Sequence, residues 1–528
     1  MSGRRTETEF TGSRRPQTMQ RSGKRARWTP GLRLTHAVFQ FDALEALQLI
    51  RFWRNRVAPI SRIPPEILVL LPDFWDGGYE GVIALTHVCR AWRAVFTSRS
   101  SLWTNLNCVD LNKTEVYLER SNSLLINLSL DRDNHLSPFD PFFQVIPNII
   151  GRLKSLSVYG TPENLQLITA HLSQPAPHLE RLSIHGGCNQ ASPHSPTLTP
   201  TLFNGDLSSL RKLCLEYICT ELPWRNMINL ASFILTHTTP DGVSITQFLD
   251  FFESAPNLRT IDLYSAAPTS GIRNRRLVSL VRLEWMYTAG GGPYSLLLNH
   301  LLIPAGARLT TEVELPSPAG VDPPLRFLDN LRNLHNFTTV QVSGDSSYPR
   351  MQFSGPNGEV GVTLKDPRVN GTHLVLGSLA RFDTTKTERL EIVNGNLMSN
   401  NHLYHALLPM KDLRTLTLSQ CRRPHIFVCA LNPTVGPSRI MVSPKLEELV
   451  IILDREEFDI RSVIEAAEVR ALGGAPLRTI RVVDRKADSE VDPADLLELG
   501  KCVLDVVNYQ RSSDEESEDG ESSVSSSW

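Results

Sequence analysis

The feature of this 528-residue sequence that most limits its possible folds is a short apolar pattern that recurs along most of the chain. An apolar residue is followed by two other residues, a second apolar residue, one other residue and a third apolar residue. The pattern occurs at Leu125/Leu128/Leu130, Leu153/Leu156/Val158, Leu179/Leu182/Ile184, Leu210/Leu213/Leu215, Leu258/Ile261/Leu263, Leu280/Leu283/Trp285, Phe337/Val340/Val342, Leu413/Leu416/Leu418, Leu446/Leu449/Ile451 and Leu477/Ile480/Val482. The first four copies start 28, 26 and 31 residues apart, which indicates a repeating unit.

Each copy predicts a strand with one buried side, because its last two apolar residues point to the same face of a strand. Segments between the copies are often helical. In the clearest case, residues 243–254, an apolar helical face ends just before Ala255-Pro256-Asn257; this face consists of Ile245, Phe248, Leu249 and Phe252. A strand, a turn, a helix and the next parallel strand form the unit of a leucine-rich solenoid, in which units bury their apolar faces by stacking.

The array is expected to be degenerate. The pattern is missing from 215–258, 285–337 and 342–413, which should therefore contain irregular or unrecognised units, and only Cys421 stands where the standard repeat has Asn or Cys. A leucine-rich α/β protein of another kind would also contain some copies, since the pattern requires only three apolar residues in six.

The two ends of the chain have opposite charge, although the formal net charge is only −2. Residues 1–33 are rich in arginine, residues 510–528 combine carboxylates with serines, and both segments are predicted to be disordered. The basic arm suits a nuclear-import signal, an anion-binding tail or a solvated end, and the serines suit an acidophilic kinase. The small net charge argues against a protein whose main role is to coat nucleic acid.

Residues 34–57 are predicted to form a leading helix, because apolar residues such as Leu47, Ile50 and Trp53 fall on one broad face. Residues 58–109 predict a small helical cluster. Pro64-Pro65-Glu66 begins its first helix, 72–78 is predicted to be a loop, and a second helix is predicted from about 82 to 96. So small a cluster cannot cover its own apolar stripes, so either a partner or the solenoid must do so. The alternative is that the cluster only caps the solenoid.

Three segments of this cluster together resemble the F-box motif of the large fungal F-box family. They are Ile63-Pro64-Pro65-Glu66-Ile67-Leu68, His87-Val88-Cys89-Arg90-Ala91-Trp92-Arg93 and Ser101-Leu102-Trp103-Thr104-Asn105-Leu106. The resemblance implies the α/β class, with an N-terminal three-helix F-box followed by an irregular leucine-rich-repeat-like solenoid that has a parallel curved sheet over residues 110–509. In that family the first helix normally continues where this chain has Pro72 and a loop to Gly81.

The resemblance also implies a partner. The F-box would bind the Skp adaptor and, through it, a cullin-RING ubiquitin ligase, using Ile63, Pro64, Ile67, Leu68, Val88, Cys89 and Trp92. Trp103 matches a later tryptophan of the family that belongs partly to the core.

The sequence lacks the common signatures of catalysis and metal binding. Gly290-Gly291-Gly292-Pro293 has no Lys or Ser/Thr of a phosphate loop, and no His-Glu-x-x-His, Gly-x-Ser-x-Gly or Cys-x-x-Cys occurs. His185-Gly186-Gly187-Cys188 could gather around zinc with His178 and His194, but no second spaced pair follows, so a loop leaving a strand is favoured. We therefore expect no catalytic residues, cofactor or metal, and a protein that is not an enzyme.

The function expected from these features is substrate recognition for a ubiquitin ligase. An unidentified protein target held on the solenoid would be brought close to the ubiquitin donor. The alternative is an interaction scaffold that acts outside a ligase. No apolar run approaches the length of a membrane span and the eight cysteines form no dense framework, so the expected location is the cytoplasm or nucleus.

Overall fold

A computed structural model describes most of residues 43–510, and these residues form a mixed α/β structure with one large, mostly parallel sheet. The described residues fall into two compact units that divide between Ser98 and Arg99. The basic segment 1–33 and most of the acidic tail lie outside the described residues. Within 43–510 the description omits 44, 52, 55–56, 75–77, 108–110, 133–141, 188–196, 199–201, 221–225, 238–242, 267–275, 291–293, 315–335, 345–348, 357, 366–370, 380–381, 398–399, 435–439, 454–458 and 485–492.

The first unit is helical. Residues 45–51 are helical, which confirms part of the predicted leading helix. There follow α1 (Pro65–Leu68), α2 (Gly78–Thr86) and α3 (Arg90–Ser98), with 3₁₀ turns at Pro59–Arg62 and Leu71–Phe74. Pro65 occupies the first turn of α1 with Glu66 beside it, as the sequence predicts, because proline loses no hydrogen bond there.

Two expectations for this unit are wrong. The predicted helix 82–96 is two helices, which are separated at His87–Cys89. The His87 N–H closes a tight turn on the Ala84 carbonyl (3.0 Å), and the Arg93 side chain donates to the Thr86 carbonyl (3.0 Å), which a continuous helix would use for its own backbone. The predicted loop 72–78 begins in a 3₁₀ turn and ends in α2, because proline fits a first turn and Gly78 starts the helix.

The second unit is built from strands with helices between them. The strands are β1 (Asn105–Asn107), β2 (Ile126–Arg132), β3 (Leu153–Gly160), β4 (Arg181–Gly186), β5 (Thr197–Leu198), β6 (Lys212–Glu216), β7 (Cys219–Thr220), β8 (Ser232–Thr236), β9 (Thr260–Tyr264), β10 (Val278–Ser279), β11 (Trp285–Ala289), β12 (Leu301–Leu302), β13 (Arg308–Glu314), β14 (Thr339–Ser343), β15 (Arg350–Gly355), β16 (Gly358–Lys365), β17 (Arg389–Val393), β18 (Thr415–Ser419), β19 (Glu448–Leu453), β20 (Thr479–Asp484) and β21 (Asp505–Gln510).

The helices of this unit are α4 (Leu111–Arg120), α5 (Phe142–Ile149), α6 (Pro162–His171), α7 (Ile245–Ser254), α8 (Tyr294–Leu298), α9 (Gly371–Leu379), α10 (Asn401–Leu407), α11 (Pro424–Cys429), α12 (Ile460–Leu472) and α13 (Pro493–Leu499). Short 3₁₀ turns occur at Ser100–Trp103, Ile150–Arg152 and Leu202–Gly205. The predicted helix over 243–254 is confirmed as α7, and its four predicted apolar residues are all buried. Its start is fixed by a reciprocal cap in which Ser244 Oγ accepts from the Gln247 N–H (3.3 Å) and Gln247 Oε1 accepts from the Ser244 N–H (2.9 Å).

Strand order in the large sheet follows the chain except at one place. The order is β1-β2-β3-β4-β6-β8-β9-β11-β13-β16-β15-β14-β17-β18-β19-β20-β21. Among these described strands only β15 is antiparallel to its neighbours, because β14, β15 and β16 form a meander inserted between β13 and β17. Two small parallel pairs, β5–β7 and β10–β12, lie outside this sheet.

The recurring apolar pattern locates nine of its ten strands in the correct register. At β11 the predicted register is wrong: Trp285 pairs with Thr260 and lies on the more open face, and Met286 and Thr288 are the buried residues. The segments without the pattern do contain further strands. One of them, β8, in fact fits the pattern through Leu230, Phe233 and Leu235, which are all buried.

Several strands end in the same backbone arrangement. The residue after β6, β8, β9, β17 or β18 has a positive φ of 49 to 54°, and its N–H donates to the last or the penultimate carbonyl of the next strand in the sheet; these residues are Tyr217, His237, Ser265, Asn394 and Gln420. A residue with a left-handed backbone conformation turns the chain out of the sheet, while its N–H still adds one more hydrogen bond to the neighbouring strand. The arrangement therefore projects these side chains at one edge of the sheet.

The opposite edge, where strands begin, carries a row of alternating charge. The residues immediately before β17, β18, β19 and β20 are, in that order, Glu388, Arg414, Glu447 and Arg478. The backbone N–H of each donates to the carbonyl of the one before it, at 2.8–2.9 Å. The Arg478 and Glu447 side chains approach to 3.8 Å, and Arg259 and Glu284 form an equivalent pair at 3.1 Å. Opposite charges thus face each other across neighbouring units.

One charged side chain lies inside the second unit. Arg470, on α12, is fully buried, and its two terminal nitrogens donate to the carbonyls of Val442 and Ser443, at 2.9 Å each. Burial lowers the pKa of the guanidinium to about 10, so the group stays charged at neutral pH. It supplies hydrogen bonds to a loop before β19, in which the Ser443 carbonyl also accepts from the Leu446 N–H at 3.0 Å.

Candidate docking surface

The residues that resemble an F-box entry segment are held by a short helix with a proline start. Pro64 is extended (φ −56°, ψ 144°), and its carbonyl accepts from the N–H groups of Ile67 and Leu68 at 3.0 and 3.1 Å. Successive helical side chains diverge by about 100°. Leu68 is therefore turned inward, with only 4% of its surface exposed, while Ile67 is 51% exposed.

The second group lies at the turn between α2 and α3. Val88 belongs to this turn and is 52% exposed, and Cys89 is half-buried. Trp92 is the third residue of α3 and only 5% exposed; its ring meets Phe96 edge-on at 5.8 Å. The break between α2 and α3 explains why Val88 is exposed and Trp92 is buried: Val88 lies in the turn, whereas Trp92 lies on a helix that packs against its neighbours.

The eight predicted binding residues therefore separate by exposure. Pro64, Ile67 and Val88 are exposed, Ile63 and Cys89 are intermediate, and Leu68, Trp92 and Trp103 are buried. Helix α3 packs against both α1 and α2, so the exposed members belong to elements in mutual contact.

Trp103 belongs to the second unit and is fully buried there. Its ring meets that of Tyr117 edge-on at 4.8 Å, and the guanidinium carbon of Arg120 lies 4.3 Å from its ring centroid. Both contacts are to α4, so Trp103 is part of that unit's core.

Three further large apolar residues between positions 58 and 98 are exposed and were not among those predicted. They are Ile60, Leu70 and Phe74, each within or beside a 3₁₀ turn, and Phe74 is 84% exposed. A signal was present in the sequence: apolar residues that flank Pro59 and Pro72 cannot join the apolar face of a long helix, because proline interrupts the helix there. We call Ile60, Pro64, Ile67, Leu70 and Val88 the docking surface. The exposed charges of Arg62, Glu66 and Arg90 accompany it.

The described residues offer little for metal or redox chemistry. They contain no group of three His, Cys, Asp or Glu side chains placed to hold a metal. His185 instead contacts Glu216 Oε2 through Nδ1 (2.7 Å) and Ser183 Oγ through Nε2 (2.8 Å), while Cys188 and His194 lie outside the description. The described cysteines are free thiols, and burial raises the pKa of Cys421 to about 12. No described helix has the length and apolar character to cross a membrane.

The docking surface thus consists of exposed apolar side chains on or beside a proline-started helix, the 3₁₀ turns and the turn between α2 and α3, and exposed charged residues occur in the same segments. This chemistry favours a protein partner with an apolar surface. No protein-family model and no curated protein matches this chain.

Proposed function

We propose that this protein recruits a target protein to a Skp-cullin-RING ubiquitin ligase, acting as its F-box subunit. The first unit binds the Skp adaptor through the docking surface, and the second unit holds the target. The chain performs no chemistry itself, since ubiquitin transfer belongs to other subunits in such an assembly.

The observation that carries this proposal is the exposure of Ile67 and Val88. Both occupy positions at which the F-box family binds the adaptor, and about half of each side chain is in contact with solvent. Covering the exposed half of an aliphatic side chain contributes about 1 kcal/mol. Five such residues can therefore supply a useful part of the affinity of a protein interface, with the neighbouring charges as its polar rim.

The second unit suits the holding of a target. Seventeen of its described strands lie side by side in one sheet, and alternate residues of these strands face away from the buried side, as the alternating burial of β4, β8 and β9 illustrates. A partly open face of this kind presents many side chains in fixed register, and specificity then depends on those side chains. The degenerate repeats support the leucine-rich-repeat-like interpretation of this unit.

The proposal is tested by co-purification of the full chain with a Skp-family adaptor. The double variant Ile67→Asp/Val88→Asp should lower the affinity at least a hundredfold, because it removes about 2 kcal/mol of apolar contact and places two carboxylates in a desolvated interface. The matched control is Leu472→Asp in the second unit, where leucine is also exposed and the variant should bind like the wild type.

Circular dichroism of both variants should match the wild type, because each changed residue is exposed. Equal adaptor binding by the double variant would refute the docking surface. A wild-type chain that captures other proteins but no Skp adaptor or cullin would instead establish the alternative, an interaction scaffold outside a ligase.

A further inference from the structure

An aspartate on the open face of the sheet is surrounded by residues that do not neutralise it. Asp262 lies in the middle of β9, in register with Ile234 on β8 and Tyr287 on β11. Ile261 and Leu263, its neighbours in sequence, point to the buried side. Asp262 therefore belongs to the face that is available to a partner.

The carboxylate of Asp262 is poorly satisfied by the described chain. Its Oδ1 is buried and accepts no hydrogen bond from any described residue. Burial alone raises the pKa of the group to about 6, with no contribution from a nearby cation. Lys212 and Arg308 share this face but stand in the row at the beginning of the strands, and Arg308 is paired with Glu359 at 3.1 Å.

Aromatic rings flank this carboxylate. Trp285 and Tyr287, which alternate along β11, have parallel rings 6.0 Å apart with an interplanar angle of 9°. On the same strand as Asp262, Tyr264 meets the ring of His237 at 4.9 Å. Aromatic faces attract cations, and the attraction grows where water is partly excluded.

A second carboxylate adds to the negative potential. Glu312 on β13 accepts the Gly290 N–H at 3.0 Å, and the pKa of Tyr287 is raised first by burial and then by the negative charges of Glu312 and Asp262. A carboxylate beside aromatic rings is the chemistry that recognises an ammonium or a guanidinium group. An anionic side chain would be repelled by Asp262, and a neutral one would leave its charge without a counter-charge.

We infer that the open face of β8, β9 and β11 around Asp262 binds a lysine or arginine side chain carried by a segment of a partner protein. The cation forms an ion pair with Asp262, and its alkyl part packs on Ile234 and the aromatic rings of β11. This inference rests on the proposed function for the partner's role as the recruited target, but the binding itself does not require the adaptor.

The inference is tested on the full chain alone by fluorescence anisotropy at pH 7.5. The probes are fluorescein-labelled peptides of alternating glycine with arginine, lysine or glutamate. The wild type should bind the arginine or the lysine peptide and not the glutamate peptide. Asp262→Asn should weaken this binding at least tenfold, whereas Glu465→Gln, an equal change of charge at an exposed position on α12, should leave it unchanged.

The double variant Ile67→Asp/Val88→Asp separates this inference from the proposed function. It should bind the cationic peptide like the wild type, and it should no longer bind the Skp adaptor. Absence of binding by both cationic peptides, or equal weakening by Asp262→Asn and Glu465→Gln, would overturn the inference. Because asparagine has the size of aspartate, Asp262→Asn should remain folded, and thermal unfolding verifies this.

Discussion

Replacing Asp262 with asparagine should stabilise the protein. A buried carboxylate without a partner favours its neutral form, which is why the pKa of Asp262 rises from 3.8 to about 6. At about 1.4 kcal/mol per pH unit this rise corresponds to about 3 kcal/mol of lost stability above pH 7. Since the side chain retains some exposure, solvent screens part of this cost, and we expect a gain on the order of 1 kcal/mol.

The pH dependence of this gain has a definite sign. Below pH 3.8 the carboxyl is neutral in both the folded and the unfolded chain, so asparagine brings no electrostatic advantage. Between pH 3.8 and about 6 only the unfolded chain ionises, and the stability of the wild type falls as pH rises. The difference between Asp262→Asn and the wild type should therefore grow over this window and stay constant above it.

The assay is urea unfolding at several pH values from 4 to 8, followed by circular dichroism. Asp412→Asn is the matched control, because Lys445 donates to Asp412 at 2.6 Å and lowers its pKa. That variant should lose stability above pH 4 rather than gain it. If Asp262→Asn were less stable than the wild type at pH 7, or if its gain were the same at pH 4 and pH 7, the burial argument would be refuted.

Two further changes test the packing of the second unit. Arg470→Ala should lower the free energy of unfolding by about 3 kcal/mol or more, because it leaves a cavity, removes the side-chain donor to the Val442 carbonyl and removes one of two donors to the Ser443 carbonyl; an unchanged urea midpoint would contradict the role of the buried guanidinium. Ser244→Ala should cost about 1 kcal/mol through loss of the α7 cap. Most of that loss should remain in the Gln247→Ala background, because alanine keeps the backbone N–H from which Ser244 Oγ accepts; a loss that vanished there would contradict this account of the cap.

The repeating strands could be predicted because their buried residues are apolar at fixed spacing. The error at β11 has a specific cause: its second buried position is Thr288, a polar residue satisfied by a hydrogen bond from its Oγ1 to Thr311 Oγ1 at 2.8 Å. Because Thr288 is polar, the apolar pattern matches Leu280/Leu283/Trp285, three residues before the buried set Leu283, Met286 and Thr288. Strand β8 also fits the pattern, through Leu230, Phe233 and Leu235, so the sequence contains the information needed to predict it.

Other features depend on contacts that a local pattern does not contain. In the inserted meander β14–β15–β16, the strand that pairs with β13 is β16, although β14 and β15 come between them in the sequence. The spacing of apolar residues within a strand does not determine which strand pairs with which. The break at His87–Cys89 likewise depends on Arg93 reaching back to Thr86. For the docking surface, the sequence indicated the segments involved and the start of α1. It could not predict that Ile67 is exposed and Leu68 buried, because that difference depends on how the helices pack.

The alternating row at the beginning of the strands has a consequence for how this protein can change in length. Loss of the single unit that contains Arg414 would bring Glu388 beside Glu447, two like charges on neighbouring strands. Loss of two consecutive units would preserve the alternation. Each exposed pair contributes at most about 1 kcal/mol, so this is a bias rather than a prohibition. Along this part of the sheet, deletions and duplications are better tolerated in even numbers.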